Sequence, residues 1–319
     1  MSEASRTNLA IEAKGLVKRF GDDILAVDGI DLAIESNTIY ALLGPNGAGK
    51  TTTINMLTTL LEPSEGSAKV AGFDVVKQAN DVRNSIGVTF QETTLDDELT
   101  GRQALDYHAR LYGMSKDQRQ AKISELLALV ELEEAAKRTI STYSGGMKRR
   151  LELIRGLMTD PKVLFLDEPT LGLDPQSRAR IGDYIVELKE KRGMSVLLTT
   201  HYMDEAEKLS DKVAIIDHGK LLTEGTPGEL VDQMGADVIT ITGQGNHDDF
   251  TTKVNDLSCC ETITTGNGVI QIGVDSGSRR LVEIITLANE TGYSVEDISV
   301  AKPSLGDVFL KYTGRQFRD

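Results

Sequence analysis

Over the first 225 or so residues, short continuous apolar runs alternate with stretches whose apolar positions recur every three to four residues. That is the pattern of buried strands separated by amphipathic helices, an α/β arrangement. Ile39–Gly44 (IYALLG) reads as a buried strand running into a glycine-rich loop, with a helix from Lys50. Val163–Leu166 (VLFL) and Ser195–Thr200 (SVLLTT) are further buried strands, too short for helices and rich in branched residues. Thr100 with Gln103 and Ser115 with Gln118 have the spacing of capping boxes, so helices start there. Gly113 closes the first of these helices. Asp174-Pro175 starts the helix between the two strands, with proline at its first position.

The pattern changes after Thr226-Pro-Gly-Glu229, which opens a short helix ending near Gly235. A strand at Val238–Gly243, a helix around Asp249–Leu257, a hairpin turning at Gly266-Asn267-Gly268, a helix from Ser278 to Thr291, a strand at Ser294–Val300 and a helix from Ser304 follow. The order β-α-β-β-α-β-α resembles a split βαβ sandwich. The expected organisation is therefore two domains, residues 1–230 and a small α+β domain at 231–319. In the last helix Leu305, Val308 and Phe309 share one face.

Composition narrows the function. No apolar run approaches the roughly 18 residues of a membrane helix, and the N-terminus lacks the basic and apolar segments of a secretory leader. The net charge is −14, with 13 acidic and 7 basic residues in 231–319 and 36 against 28 before them. Neither part offers the basic surface of a nucleic-acid binder. The two cysteines, Cys259 and Cys260, are adjacent, so they neither close a loop nor make a zinc site, and a reducing compartment fits.

Three motifs carry chemistry. Gly44-Pro45-Asn46-Gly47-Ala48-Gly49-Lys50-Thr51 matches G-x-x-x-x-G-K-[ST], a loop whose backbone N–H groups cradle phosphates at a helix N-terminus. There Lys50 reaches the β- and γ-phosphates, Thr51 ligates Mg²⁺ and Thr52 bonds the α-phosphate. The strand Val163–Leu166 ends in Asp167 and Glu168. Asp167 is placed to hold Mg²⁺ through water, while Glu168, one residue on and pointing elsewhere, polarises a water for in-line attack. Tyr143-Ser144-Gly145-Gly146-Met147 opens a helix with apolar Leu151, Ile154 and Leu157. Ser144 caps it and the two glycines bare backbone N–H groups, which suits a second anion site.

With Gln91 after Ser85–Phe90, Asp174 in LGLDP and His201 after Ser195–Thr200, these motifs stand in the order found in the ABC ATPase family, which residues 10–230 resemble. The resemblance implies a P-loop NTPase cassette: a RecA-like core with antiparallel β and helical subdomains, working as a head-to-tail homodimer. In such a dimer Ser144, Gly145 and Gly146 would grip the γ-phosphate held by the other copy, with Asp174 at the interface beside its capping role. The resemblance also implies that Gln91 senses Mg²⁺ and the attacking water on a loop that touches a membrane partner. His201 would bond the γ-phosphate, Phe20 would stack on adenine and Val27 would pack nearby. His108, His218 and His247 read as surface or packing residues. SGGMKRR, HYMDEAE and PSLGDVFLKYTGR are similar to the exporter branch that includes daunorubicin-resistance-type ATPases, although Tyr143 and Met147 depart from the commoner LSGGQ.

The expected function is thus an ATP-hydrolysing exporter subunit, peripheral on the cytoplasmic face, driving a separate polytopic permease that carries a drug, lipid or glycan-like cargo. The final domain would pack on the cassette or on its own copy, through the apolar face of its last helix, and support assembly. A soluble non-transport ABC ATPase and a non-catalytic regulator are the alternatives. Neither explains the single cassette without coiled-coil insertions and the intact Lys50, Asp167, Glu168 and His201.

Overall fold

The computed structural model describes residues 8–21, 23–235, 237–266 and 268–314. The N-terminal residues read for a secretory leader, Asn267 of the hairpin turn and Arg315 of the last motif lie outside the described residues. The chain divides into two compact units, Met1–Leu221 and Leu222–Asp319. The division falls after Leu221, where the sequence pattern marks residue 230.

In chain order the first unit runs β1 (Leu9–Phe20), β2 (Ile24–Glu35), β3 (Ile39–Leu43), α1 (Lys50–Leu57), β4 (Glu65–Val70), β5 (Phe73–Asp74), α2 (Ala79–Ser85) and β6 (Ile86–Thr89). It continues through α3 (Gly101–Leu111), α4 (Lys116–Leu129), α5 (Gly145–Gly156), β7 (Val163–Asp167), α6 (Pro175–Arg192), β8 (Ser195–Thr200), α7 (Met203–Leu209), β9 (Lys212–Asp217) and β10 (Lys220–Gly225), which crosses the division. Six strands form one sheet in the order β10-β9-β3-β8-β7-β6. From β9 to β6 each neighbouring pair is parallel. Every residue of β3, β7 and β8 is buried, which is why these strands are continuous apolar runs without alternation. A second, antiparallel sheet has the order β2-β1-β4-β5. Its Ile11, Leu16 and Ile34 join Tyr40, Leu42, Phe165 and Leu197 of the parallel sheet in one core. The helices α3, α4 and α5 pack on one another as a third group.

The register sets where chemistry can gather. Leu43 lies opposite Thr200, and Asp167 opposite Thr199. The carboxyl ends of β3, β7 and β8 therefore stop side by side, so the segments following them share one edge of the sheet, the usual place for a ligand in an open parallel sheet. Local signals hold: Thr100 and Ser115 complete capping boxes with Gln103 and Gln118, and Asp174 caps α6 ahead of Pro175.

The second unit continues with α8 (Pro227–Asp232), β11 (Asp237–Gly245), α9 (His247–Asn255), β12 (Cys260–Gly266), β13 (Val269–Val274), α10 (Gly277–Glu290), β14 (Tyr293–Ala301) and α11 (Leu305–Thr313). Its sheet has the order β12-β13-β11-β14 with all neighbours antiparallel, over its own core of Ile239, Phe250, Ile272, Ile284 and Tyr293. This is the expected small α+β fold. One expectation is corrected. Leu305, Val308 and Phe309 of α11 are 0%, 0% and 2% exposed, and α11 packs on α8 and β12 of its own unit. The apolar face is consumed in closing that unit, so it is not presented to another copy. No helix among the described residues is long and apolar enough to cross a membrane.

Candidate functional site

The loop between β3 and α1 is shaped by positions that only glycine fills. Gly49 has φ +105°, and a Cβ there would lie 2.6 Å from the Ala26 carbonyl oxygen. Both the left-handed backbone and the close approach exclude a side chain. Gly49 is also the cap of α1 and contributes no side-chain bond to its first turn, so the helix-terminal N–H groups face the loop as an anion site. Gly44 and Ala48 are buried, Pro45 is half-buried, and Asn46 and Gly47 are exposed; Thr51 and Thr52 follow on the first turn, exposed and half-buried.

Lys50 is 5% exposed. Its Nζ donates to the carbonyls of Gly44 at 2.7 Å and Pro45 at 3.2 Å, and lies 3.3 Å from Glu168 Oε1. Burial pushes the Lys50 pKa below its ordinary value, against the opposing pull of the Glu168 and Asp167 carboxylates.

At the end of β7, Asp167 is 1% exposed and its Oδ1 accepts from the Thr199 hydroxyl at 2.5 Å. Glu168 does not simply alternate to the other side. It has φ +48°, a left-handed conformation that costs a non-glycine residue on the order of 1–3 kcal/mol. Its N–H is shared between the carbonyl and hydroxyl oxygens of Thr199, at 3.2 and 2.9 Å. The sequence separates Glu168 from Asp167 but leaves open where its carboxylate goes, and the left-handed turn sets that. The carboxylate meets three other candidates: Lys50 as above, Gln91 Nε2 at 3.5 Å from Oε2, and His201 Nδ1 at 3.4 Å from Oε2. Lys50, Gln91, Glu168 and His201, spread over 150 residues of sequence, converge on one carboxylate.

Thr51, Asp167 and Gln91 offer a hydroxyl, a carboxylate and an amide oxygen, the hard donor set that suits Mg²⁺. Phe20 ends β1, 41% exposed, with the Lys18 ammonium 5.4 Å from its ring centre. Val27 is fully buried, with a methyl 3.5 Å from where a Gly49 Cβ would stand; it underlies the loop and presents no surface.

The remaining candidates stand apart. Among the described residues no hydrogen bond joins Ser144, Gly145 or Gly146 to the phosphate loop. Ser144 caps α5, accepting from the Met147 N–H, and Ser144 and Gly145 are exposed. Gly146 is packed so that a Cβ would lie 2.7 Å from Ser177 Oγ. Asp174 accepts from Ser177 N–H and Oγ at 3.0 and 2.6 Å, and these bonds hold its pKa below the usual carboxylate range. Tyr143 is 6% exposed and donates to the Ala135 carbonyl at 2.8 Å.

Sequence reasoning missed Arg149. It is 8% exposed and donates to the carbonyls of Pro169 (2.6 Å), Phe90 (2.6 Å), Asp167 (3.0 Å) and Glu168 (2.9 Å) and to Glu152 Oε2 (3.2 Å). Burial lowers its pKa while Glu152 opposes the shift. Glu152 Oε1 in turn accepts from the Thr94 N–H at 2.9 Å. The i, i+3 spacing of Arg149 and Glu152 was a visible sign of an ion pair; nothing local signalled its burial. Beside Gln91 lies a groove of about 240 Å³ lined by Phe90, His108, Tyr112 and Arg155 among others.

Comparisons with known proteins agree with this geometry. Residues 27–171 match the family model described as ABC transporter. The chain is 40% identical over 306 residues to the daunorubicin resistance ATP-binding protein DrrA3 of Streptomyces coeruleorubidus, covering 96% of each chain. Among solved structures, the cbiO1 subunit of a cbiONQ transporter complex from Clostridium perfringens matches with a TM-score of 0.66 and 27% identity, over 71% of this chain and 92% of that one. A dimeric ATP-binding cassette in a post-hydrolysis state with ADP and Pi matches with a TM-score of 0.62 and 25% identity, over 68% and 98%.

Proposed function

This chain belongs to the family of ABC transporter ATP-binding subunits, and we propose that it drives export through a separate polytopic membrane subunit, with Glu168 as the base of hydrolysis. The chain binds and hydrolyses ATP, as its family does. The observation that carries the assignment of the base is the convergence of Lys50, Gln91 and His201 on the Glu168 carboxylate at 3.3–3.5 Å. In this reading Phe20 stacks on adenine, the Gly44–Gly49 loop with Lys50 and Thr52 holds the phosphates, and Val27 supports the loop from beneath. Glu168 takes a proton from water as the water oxygen bonds the γ-phosphorus and the bond to the ADP oxygen breaks. His201 donates to the γ-phosphate, and Gln91 orients the water. Mg²⁺, held by Thr51, Asp167 and Gln91, would offset the phosphate charge.

Ser144 and Gly145 are exposed at the start of α5, with Gly146 buried directly behind them, which suits a role in trans: in a head-to-tail homodimer the three close over the nucleotide of the other copy, with Asp174 at the seam. In this reading the membrane subunit touches the groove beside Gln91, and the chain works at the cytoplasmic face of the membrane. The cargo, drug-like, lipid or glycan, is selected by that subunit. A soluble, non-transport role is not favoured by relatives named for drug resistance.

Glu168→Gln keeps the side-chain shape but removes the base. The variant is expected to bind ATP and accumulate as a dimer without releasing phosphate. Phosphate release at the rate of the unmodified chain would remove Glu168 from the mechanism.

A further inference from the structure

We propose that Arg149 is a positioning residue for hydrolysis: it holds the turn that carries Glu168 and makes that turn move with the helix that begins at Ser144. The proposal rests on the assignment of Glu168 as the base.

Glu168 sits in a left-handed conformation, which persists only where the surroundings impose it. Arg149 supplies much of that constraint, because three of its acceptors are the consecutive carbonyls of Asp167, Glu168 and Pro169. A fourth, Phe90, immediately precedes Gln91. The fifth donor contact goes to Glu152, whose other oxygen takes the Thr94 N–H. One buried ion pair on α5 therefore clasps both ends of the 90–94 loop and the whole 167–169 turn. These are the two segments that deliver Gln91 and Glu168 to each other.

The choice of residue supports a geometric role. A buried charge is a poor way to fill space, and a hydrophobic side chain of similar size often stabilises as well or better. What arginine adds is five N–H donors in a rigid planar fork, and every one is used here. Lysine, with a single ammonium, cannot reach acceptors spread over four carbonyls and a carboxylate.

The position on the helix gives the clasp its consequence. Arg149 lies five residues, less than a turn and a half, from Ser144. A helix segment that short moves as a unit, so a shift of the exposed Ser144–Gly145 end carries the guanidinium with it and pulls on the carbonyls that fix Glu168. The pose of the base in one copy thus depends on what its own α5 has engaged.

The test uses the full-length chain, with ATP turnover over a range of ATP concentrations, MgATP titration for affinity, and a thermal melt. Arg149→Gln is expected to lower kcat by about ten- to a hundredfold, the scale of an ångström misplacement of a reacting group, while ATP affinity stays within about threefold. Arg149→Lys is expected to fall between the two. Because Arg149 acts through Glu168, adding Arg149→Gln to Glu168→Gln is expected to cost little further rate in single-turnover measurements. An unchanged kcat in Arg149→Gln, a loss confined to KM, or independent losses that multiply in the double variant would each overturn the proposal. Should Arg149→Gln fail to fold, Arg149→Lys alone and on Glu168→Gln decides by the same criteria. If Glu168→Gln itself keeps full turnover, the base assignment fails, which is a separate result from any Arg149 outcome.

Discussion

The pair of Lys50 and Glu168 should make the nucleotide-free fold depend on both residues together. Both are nearly buried, at 5% and 6% exposure, and their charged atoms are 3.3 Å apart. With an effective dielectric of about 20, unit charges at that distance attract by ~5 kcal/mol. Lys50→Met leaves the Glu168 carboxylate without this partner, and breaking one side of a buried pair costs about 3–5 kcal/mol. Part of that is offset, because burial already disfavours the Lys50 charge and methionine has no such penalty. A net loss of ~3 kcal/mol lowers the melting temperature of a unit this size by about 6–12 °C. Glu168→Gln, which strands Lys50 instead, should also melt early. The double variant Lys50→Met/Glu168→Gln removes both charges and should recover most of the loss, giving a coupling of about 2 kcal/mol or more. Calorimetry in nucleotide-free buffer would resolve the transition of the first unit. If the two losses simply add, the charges do not stabilise one another, and the convergence on Glu168 carries no energetic weight.

Two further outcomes follow from other parts of the chain. Burial, with the Arg155 charge beside it, lowers the His108 pKa from 6.5 to about 4. Between those values the unfolded chain binds a proton that the folded chain refuses, so stability falls as pH drops from 6.5 toward 4, by up to about 3 kcal/mol; His108→Gln should flatten this window in urea titrations across pH, and an identical pH slope would exclude His108 as its source. The second unit closes its own core, and we assign it to assembly rather than to nucleotide binding. A chain ending at residue 230 should keep its ATP affinity within about threefold but float less with membranes carrying the partner, whereas undiminished flotation would leave the unit without an assembly role.

What could be read from the sequence was what is local in it. The phosphate loop needs glycine at fixed offsets between a buried strand and a helix, so Gly44 to Thr51 announce themselves. The capping boxes at Thr100 and Ser115 span four residues each. Strands buried on both faces, such as Ile39–Leu43 and Ser195–Thr200, stand out as unbroken apolar runs. The antiparallel sheet was anticipated only through the family resemblance: in β1 the register shifts repeatedly, as between Ala13 and Leu16, around the left-handed Gly15, and alternation is lost, whereas β2 does alternate over residues 30–35. The helix expected at Asp249–Leu257 starts two residues earlier because Asn246 caps it.

The harder failures share one cause. The direction of Glu168 follows from a backbone angle that residue type does not disclose, and four of the five acceptors of Arg149 are main-chain carbonyls 18 to 59 residues away, which every sequence possesses everywhere. Periodicity shows which face of a helix is apolar but not what covers it, so the stripe on α11 pointed outward when α8 and β12 in fact absorb it. A charged residue followed three positions later by its opposite, on a helix that also buries Leu151 and Ile154, is ordinarily a solvated pair on the outer face. On α5 the same spacing is a buried clasp, because the 90–94 loop and the 167–169 turn both bond to the pair. Burial of a charge is decided by tertiary contacts, and here those contacts are with the two segments that carry Gln91 and Glu168. The residue least legible in the sequence is therefore the one through which the separately legible motifs are held in register.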